Sequence, residues 1–502
     1  MIRVGLARTE PSYVGLAPPF GPGKALPELA SLLGDASGEG PANHVYAAVR
    51  GALMALGLDA ANFGSTAWNP LGALVNRGSR IVLKPNFIRH WNPSSTTHAD
   101  AASIESVITH GSMLRVVADY AFLAVGSEGS VAIAEAPQHD CDFDQIREIV
   151  GLDAIVAFYE THLGRELEVI DLRRECVRYK DGVIVERRAL PGDPAGYRMI
   201  DLGRHSAFEG SGMDPHRFRG ADYDPGPTSQ HHMNGRHDYL LSETVLSADL
   251  VVNLPKLKTH KKTGVTLALK NMVGINGDKN LLPHHSLGSV AAGGDEYPGS
   301  SWIDGVRSFG SEVARSLLKR GIGTGLARLI RRTEIAARGN DFIRNGNWHG
   351  NRTTWRMCVD LSRCLYYSDA AGEHFDAPSP VRRVLTVIDG VVAGEGDGPL
   401  SPLDVPLGAV IAATDPIALD LVAVRLMGFD EDRLPKLRQP MRAEKLRITE
   451  VRSADDVAVF DLQAGSDLPS ERRLDGISCQ HSFLAHPGWA DHLATPNQRK
   501  QE

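Results

Sequence analysis

Between Val251 and His285 the chain reads VVNLPKLKTHKKTGVTLALKNMVGINGDKNLLPHH, which gathers Lys256, Lys258, Lys261, Lys262, Lys270 and Lys279 with His260, His284 and His285 behind an apolar strand. Cations crowded around a strand end suit a small anionic substrate, because open α/β sheets bind ligands at the carboxyl ends of their strands. Lys270 stands among apolar neighbours in VTLALKNMVG. Burial beside other cations lowers a lysine's pKa and frees its amine for acid/base work or covalent attachment. His260 is the proton-transfer candidate, and Lys256 and Lys258 are the anion-attracting pair. A solvated basic turn is the competing reading of the same residues.

A second group lies in VIDGVVAGEGDGP, Val387 to Pro399. Glycines behind a strand let backbone N–H groups approach an anion, and Asp389, Glu395 and Asp397 offer oxygen ligands to a hard cation such as magnesium. Asp415 faces the same cleft or caps the helix that Pro416 opens. In the first part of the chain Lys84 and Asn86 follow a buried strand, where they can bind phosphate or carboxylate or simply solvate the strand end. The runs Gln138–Asp144 and His231, His232, His237 and Asp238 hold metal-capable side chains, but a polar helix entry and a surface loop account for them equally.

Short apolar runs alternating with helical spacing predict an α/β fold: two lobes with mostly parallel sheets flanked by helices, plus an inserted β element and a helical insertion. Expected strands include Ile2–Ala7, Arg80–Lys84, Val131–Ala136, Asp249–Pro255, Val384–Gly390 and Ala409–Thr414. Asn43 and Ser112 are the expected caps of two helices. LEVIDLRR and VRYKDGVIVER read as a strand-rich insertion, with Asp181-Gly182 as a hairpin turn. The expected units are residues 1–165, an N-terminal α/β lobe; 166–240, a β-hairpin and loop insertion; 241–465, a C-terminal α/β lobe with a helical insertion at about 300–340; and 466–502, a polar tail. Val306–Arg338 is basic and amphipathic, fit to rest on an anionic membrane surface or to pack as a hairpin.

Composition narrows the classes. The 502 residues are 42% hydrophobic and 23% charged with a net charge of −7, which argues for a globular chain and against a nucleic-acid binder. Cys141, Cys176, Cys358, Cys364 and Cys479 nowhere form C-x-x-C, so neither a disulfide framework nor an iron–sulfur cluster is expected, and a reducing, cytoplasmic setting is. The start lacks the apolar core of a signal peptide, and the window Leu407–Met427 is broken by Asp415, Pro416, Asp420 and Arg425, so no transmembrane segment is expected.

KPNF, VVNLPKLKTHKKTGVTLALKNMVG, VIDGVVAGEGDGP and AATDPIALDLVAVRLMG together resemble the family known as domain of unknown function 362, in ordered blocks from about Arg80 to Met427. Some of that family's members carry ferredoxin-like cysteine clusters, which this chain lacks. Longer relatives suggest a link to cell-surface polysaccharide biosynthesis. His260, Gly264 and Lys270 also have the spacing of the lactate racemase site. That similarity implies Lys270 as the tether of a nickel-pincer nucleotide with Gly264 and Asn271 beside it, His260 as acid/base group, and His284 or His285 as metal ligand. The chain departs from that pattern at Leu267 and Ala268, where the racemases have a glycine pair. The expected function is metal- or cofactor-assisted proton or hydride transfer on a small anionic substrate in an inter-lobe cleft, isomerase-like or oxidoreductive. Its ligands would be Lys84, Asn86, Lys256 and Lys258 for substrate and His284, His285, Asp389 and Asp397 for nickel or magnesium. The alternative is a non-catalytic protein that binds an anionic ligand or assembles a surface-glycan pathway.

Overall fold

The computed structural model describes residues 1–38, 40–180, 183–299, 302–319, 325, 343–373, 375–478 and 481–494. Among them, eleven strands join one sheet. They are β1 (Ile2–Arg8), β2 (Arg80–Pro85), β3 (Ser130–Glu135), β4 (Leu167–Asp171), β5 (Leu250–Leu254), β6 (Lys256–His260), β7 (Gly264–Val265), β8 (Arg383–Asp397), β9 (Ser401–Ala413), β10 (Val457–Leu462) and β11 (Ser470–Arg473). The order is β11-β10-β1-β9-β8-β5-β2-β3-β4, with β6 pairing β8 and β7 pairing β6. From β8 to β4 the pairing is parallel throughout, and β9 runs antiparallel to both β8 and β1.

The α/β class follows from how these strands divide their side chains. Ile81 and Leu83, Val131 and Ile133, and Leu250 and Val252 face one core, against helices His44–Leu56 and Gly111–Val125. Val82, Ala132, Ala134 and Val251 face another, against helices Thr354–Tyr367 and Pro416–Leu426. Strands covered on both faces need continuous apolar runs, which is the pattern these segments carry. Strands of both expected lobes lie side by side in this sheet, since β5 sits between β2 and β8.

Several elements differ from the sequence reading. Leu167–Asp171, expected to open the β insertion, pairs in parallel with β3 as the end strand of the large sheet; its half-exposed alternation is that of an edge. The inserted β element itself is present as Glu175–Lys180 paired with Val183–Ala189, and Tyr197–Asp201 paired with Asp238–Ser242. The second helix starts at Gly111, with the His110 ring rather than Ser112 accepting the first-turn N–H. VIDGVVAGEGDGP is not a strand followed by a loop: β8 continues to Asp397 and pairs with β9 as far as Ser401. Its glycines permit close packing, Gly394 lying where a Cβ would meet the Ser106 carbonyl and the Lys258 side chain. Asn43 and Asp415 cap their helices as expected.

Asp181-Gly182, Cys479 and the basic segment from Arg320 to Arg338, apart from Gly325, lie outside the described residues. The first part of the helical insertion is helix Trp302–Lys319, tied down by Arg219–Glu312 at 2.6 Å and Lys319–Asp224 at 2.7 Å. Phe309 and Val313 stay exposed on it. Cys141, Cys176, Cys358 and Cys364 are free thiols. Among the described residues no helix is long and apolar enough to cross a membrane.

Candidate functional site

Pro255 interrupts the run from β5 into β6, because proline cannot donate to the ladder. Behind it, Lys256, Lys258 and His260 alternate with Leu257, which faces the core. The next turn depends on Gly264, whose φ is +75° and where a Cβ would lie 2.5 Å from Leu434 Cδ2. The short helix Leu267–Asn271 follows, held by Ala268 N–H donating to Asp420 at 2.8 Å, and it presents Lys270.

Asn271 locks this helix to the carboxyl end of β2. Its amide donates to Asn253 Oδ1 at 2.8 Å and to the Lys84 and Pro85 carbonyls, while its oxygen accepts from Asn86 at 2.9 Å. At the end of β3, Glu135 forms a buried ion pair with Lys84. Gly274 makes room for that pair, since a Cβ there would come within 2.0 Å of the Glu135 carboxylate.

These pieces enclose a cavity of about 450 Å³. Lys258, His260, Lys262, Lys270, Lys279, His284 and His285 line it, with Asn86, Asn271, Glu135 and His139 on the strand-end side and Arg315 from helix Trp302–Lys319 opposite. Lys258 donates to Asn86 Oδ1 at 3.2 Å and to the Val107 carbonyl, Lys262 to the Asn345 carbonyl, and Lys279 to the Ala136 carbonyl at 2.7 Å. None of the three has a carboxylate partner among the described residues. Lys270 has no hydrogen-bond or ion-pair partner among them at all.

This charge shapes the titration. Burial, with Lys256 and Lys270 adding repulsion, holds Lys258 well below the ordinary lysine value. Burial pushes Lys262 and Lys279 down to about 7, helped at Lys262 by Lys261, and it lowers Lys270. His260 and His285 are held well below the ordinary histidine value and His284 falls to about 3, burial leading in each case. The histidines are therefore neutral at pH 7 and keep lone pairs for proton transfer or metal binding.

Of the sequence-predicted residues, the cavity collects Asn86, Lys258, His260, Lys270, Asn271, His284 and His285. Lys84 turns away to Glu135. Lys256 turns to Asp389 at 3.0 Å, a carboxylate that also accepts from Tyr13 and from His110 N–H at 3.0 Å. Asp397 closes β8, beside Lys261 at 3.9 Å and His486 at 3.6 Å. Neither Asp389 nor Asp397 belongs to the cavity wall that holds His284 and His285. Gly264 serves the turn and is not in the cavity wall, and Asp415 caps its helix and binds Thr449. Among the described residues no three His, Cys, Asp or Glu side chains converge as a metal site. His231 pairs with Asp238 at 2.8 Å, and His232 binds the Leu281 carbonyl at 2.9 Å and contacts His237.

Sequence reasoning missed Glu135 and Arg315 as parts of this wall, and it read His139 only within a metal-capable run and Lys279 only as one more cation of the basic segment. Glu135 had a signal, a carboxylate closing the apolar run VAIA at a strand's carboxyl end; Arg315 had none, because only the folding of the insertion brings it over the cavity.

A model of the family described as Domain of unknown function (DUF362) matches residues 168–425, and the chain belongs to that family. The match contains the lysine and histidine wall, whereas Asn86 and Glu135 come from the chain before it. No curated protein matches the chain.

Proposed function

We propose that this member of the DUF362 family is an enzyme that moves a proton or hydride on a small anionic substrate held at the carboxyl ends of β2, β3 and β5. The observation that carries the reading is the cavity: Lys258, Lys262 and Lys279 face it without carboxylate partners, beside neutral histidines. Buried cations in that state are incomplete until an anion arrives, so they supply both affinity and orientation. His260 accepts the Lys262 N–H on Nδ1 at 3.0 Å, which leaves its Nε2 as the proton-bearing nitrogen turned to substrate chemistry.

The protein groups expected around a lysine-tethered nickel-pincer nucleotide fit this cavity as well. Lys270 would carry it and His284 or His285 would hold its metal, while Leu267 and Ala268 pack into the core instead of the cavity. Such a group would supply hydride transfer at a 2-hydroxy acid. Intact mass and elemental analysis of the purified chain decide its presence, through an adduct on Lys270 with stoichiometric nickel.

The test of the function has two parts. Calorimetric screening of phosphorylated and carboxylated metabolites is expected to find a ligand, and NMR in D₂O is expected to show hydrogen exchange at one of its carbons. His260→Asn should abolish exchange while leaving binding within about threefold, since His260 is assigned to a step rather than to anchoring. Tight binding without exchange would make the protein a non-catalytic anion binder, the role suited to a surface-glycan assembly factor.

A further inference from the structure

The cavity holds one lysine unlike the others. Lys84 and Lys256 are matched by carboxylates, and Lys258, Lys262 and Lys279 are held by amide or backbone oxygens. Lys270, only 9% exposed, lines the same cavity with no acceptor among the described residues. A buried ammonium with nothing to bind is costly, so this place favours the neutral amine, the nucleophilic form.

The two histidines nearest to it in function are complementary. His260 accepts on Nδ1 from Lys262 N–H, so its neutral ring carries the proton on Nε2 and can donate. His284 donates from Nδ1 to the Leu282 carbonyl at 2.9 Å, so its Nε2 bears a lone pair and can accept. Neither Nε2 has a partner among the described residues, and both rings line the cavity. A nucleophilic amine, a donor for a developing oxyanion, a proton acceptor and surplus cations are therefore gathered in one place.

We propose that Lys270 forms an imine with the carbonyl carbon of an anionic oxo compound, either a 2-oxo acid or a phosphorylated aldehyde or ketone. The proposal rests on the anion-cavity reading and names its substrate class. The Nζ lone pair attacks the carbonyl carbon while His260 Nε2–H hydrogen-bonds the oxygen. His284 Nε2 takes a proton from the positive nitrogen and passes it to that oxygen, giving the carbinolamine. A second proton follows the same route, the hydroxyl leaves as water, and the carbon–nitrogen double bond forms. Both protons lost by nitrogen leave with the carbonyl oxygen, and no oxidant or reductant is consumed. Lys258, Lys262 and Lys279 hold the carboxylate or phosphate beside the carbonyl.

The experiment treats the full chain with glyoxylate, a small anion bearing an aldehyde, and traps any imine with sodium cyanoborohydride before intact-mass analysis and peptide mapping. One adduct per chain at Lys270 is expected, formed at least about tenfold faster than at any surface lysine, because an ordinary lysine with pKa near 10.4 is almost wholly protonated at pH 7. Excess inorganic phosphate should suppress it. Lys270→Arg should abolish it, with Lys270→Met as a second variant should the first not fold. Adducts spread over surface lysines with Lys270 unmodified, while calorimetry still shows phosphate binding, would overturn the imine and leave the anion cavity standing. Loss of phosphate binding as well would overturn both. A group already attached to Lys270 in the purified chain would also overturn the imine.

Discussion

Two buried ion pairs set Lys84 and Lys256 apart from the lysines that face the cavity without a carboxylate. Lys84 with Glu135 and Lys256 with Asp389 place cations and carboxylates together out of water, the first pair at the carboxyl ends of β2 and β3 and the second where β6 opens beside the middle of β8. Removing one member leaves a buried charge without its partner. Lys84→Met is accordingly expected to cost about 3–5 kcal/mol of folding stability, whereas adding Glu135→Leu should recover most of it. Urea denaturation of the two singles and the double gives the coupling directly, and additive losses would mean the pair contributes nothing as a pair. Lys258 and Lys270 have no such carboxylate among the described residues, which is why we assign them, rather than Lys84 and Lys256, to the proposed substrate.

Among elements, the β8–β9 hairpin and the helix behind it show how a glycine-rich acidic stretch is used for architecture. Its backbone is engaged along β9, so its N–H groups are not gathered around an anion. Asp415, just past β9, accepts from Ile417 and Ala418 N–H at 2.9 Å, from Thr449, and from Glu450 N–H at 2.9 Å. Asp415→Ala should therefore lower stability by about 1–2 kcal/mol, the usual cost of a lost cap, and leave phosphate binding at the cavity unchanged. A melting curve and a calorimetric titration on the same sample check both halves; weakened binding at unchanged stability would return Asp415 to the site.

Across the whole molecule, the cavity's charge is linked to stability. Lys262 and Lys279 fall from the ordinary 10.5 to about 7 on folding, driven by burial against Lys261, Lys270 and Arg315 in one case and Lys84, Lys270 and Arg173 in the other, with Asp295 and Glu135 opposing. Between those values the unfolded chain binds more protons than the folded one, so these groups make stability rise from pH 7 to pH 10. Without anions the melting temperature should climb over that window. Saturating phosphate should raise it most near pH 7 and least near pH 10, because the bound anion restores the lysines' protons and helps only while they can be charged. Scanning calorimetry over the series reads this out; a phosphate effect independent of pH would contradict it.

The chain's local signals determined the fold class, most strands of the sheet, the caps at Asn43 and Asp415, and the grouping of His260, Lys270, His284 and His285, because apolar periodicity, capping chemistry and short spacings act within a few residues. They did not reveal that Leu167–Asp171 joins the large sheet or that Val387–Asp397 is continuous strand, since an edge strand and a glycine-rich strand look locally like an insertion and a loop. Nor could they tell which lysine stays unpaired. Glu135 lies 51 positions from Lys84, and Asp389 is more remote still in sequence from Lys256, so only the packed sheet decides which cations are neutralised and which are left facing the cavity. Long-range charge pairing is a property of tertiary distance, and in this protein it separates the lysines paired within the fold from those that face the cavity.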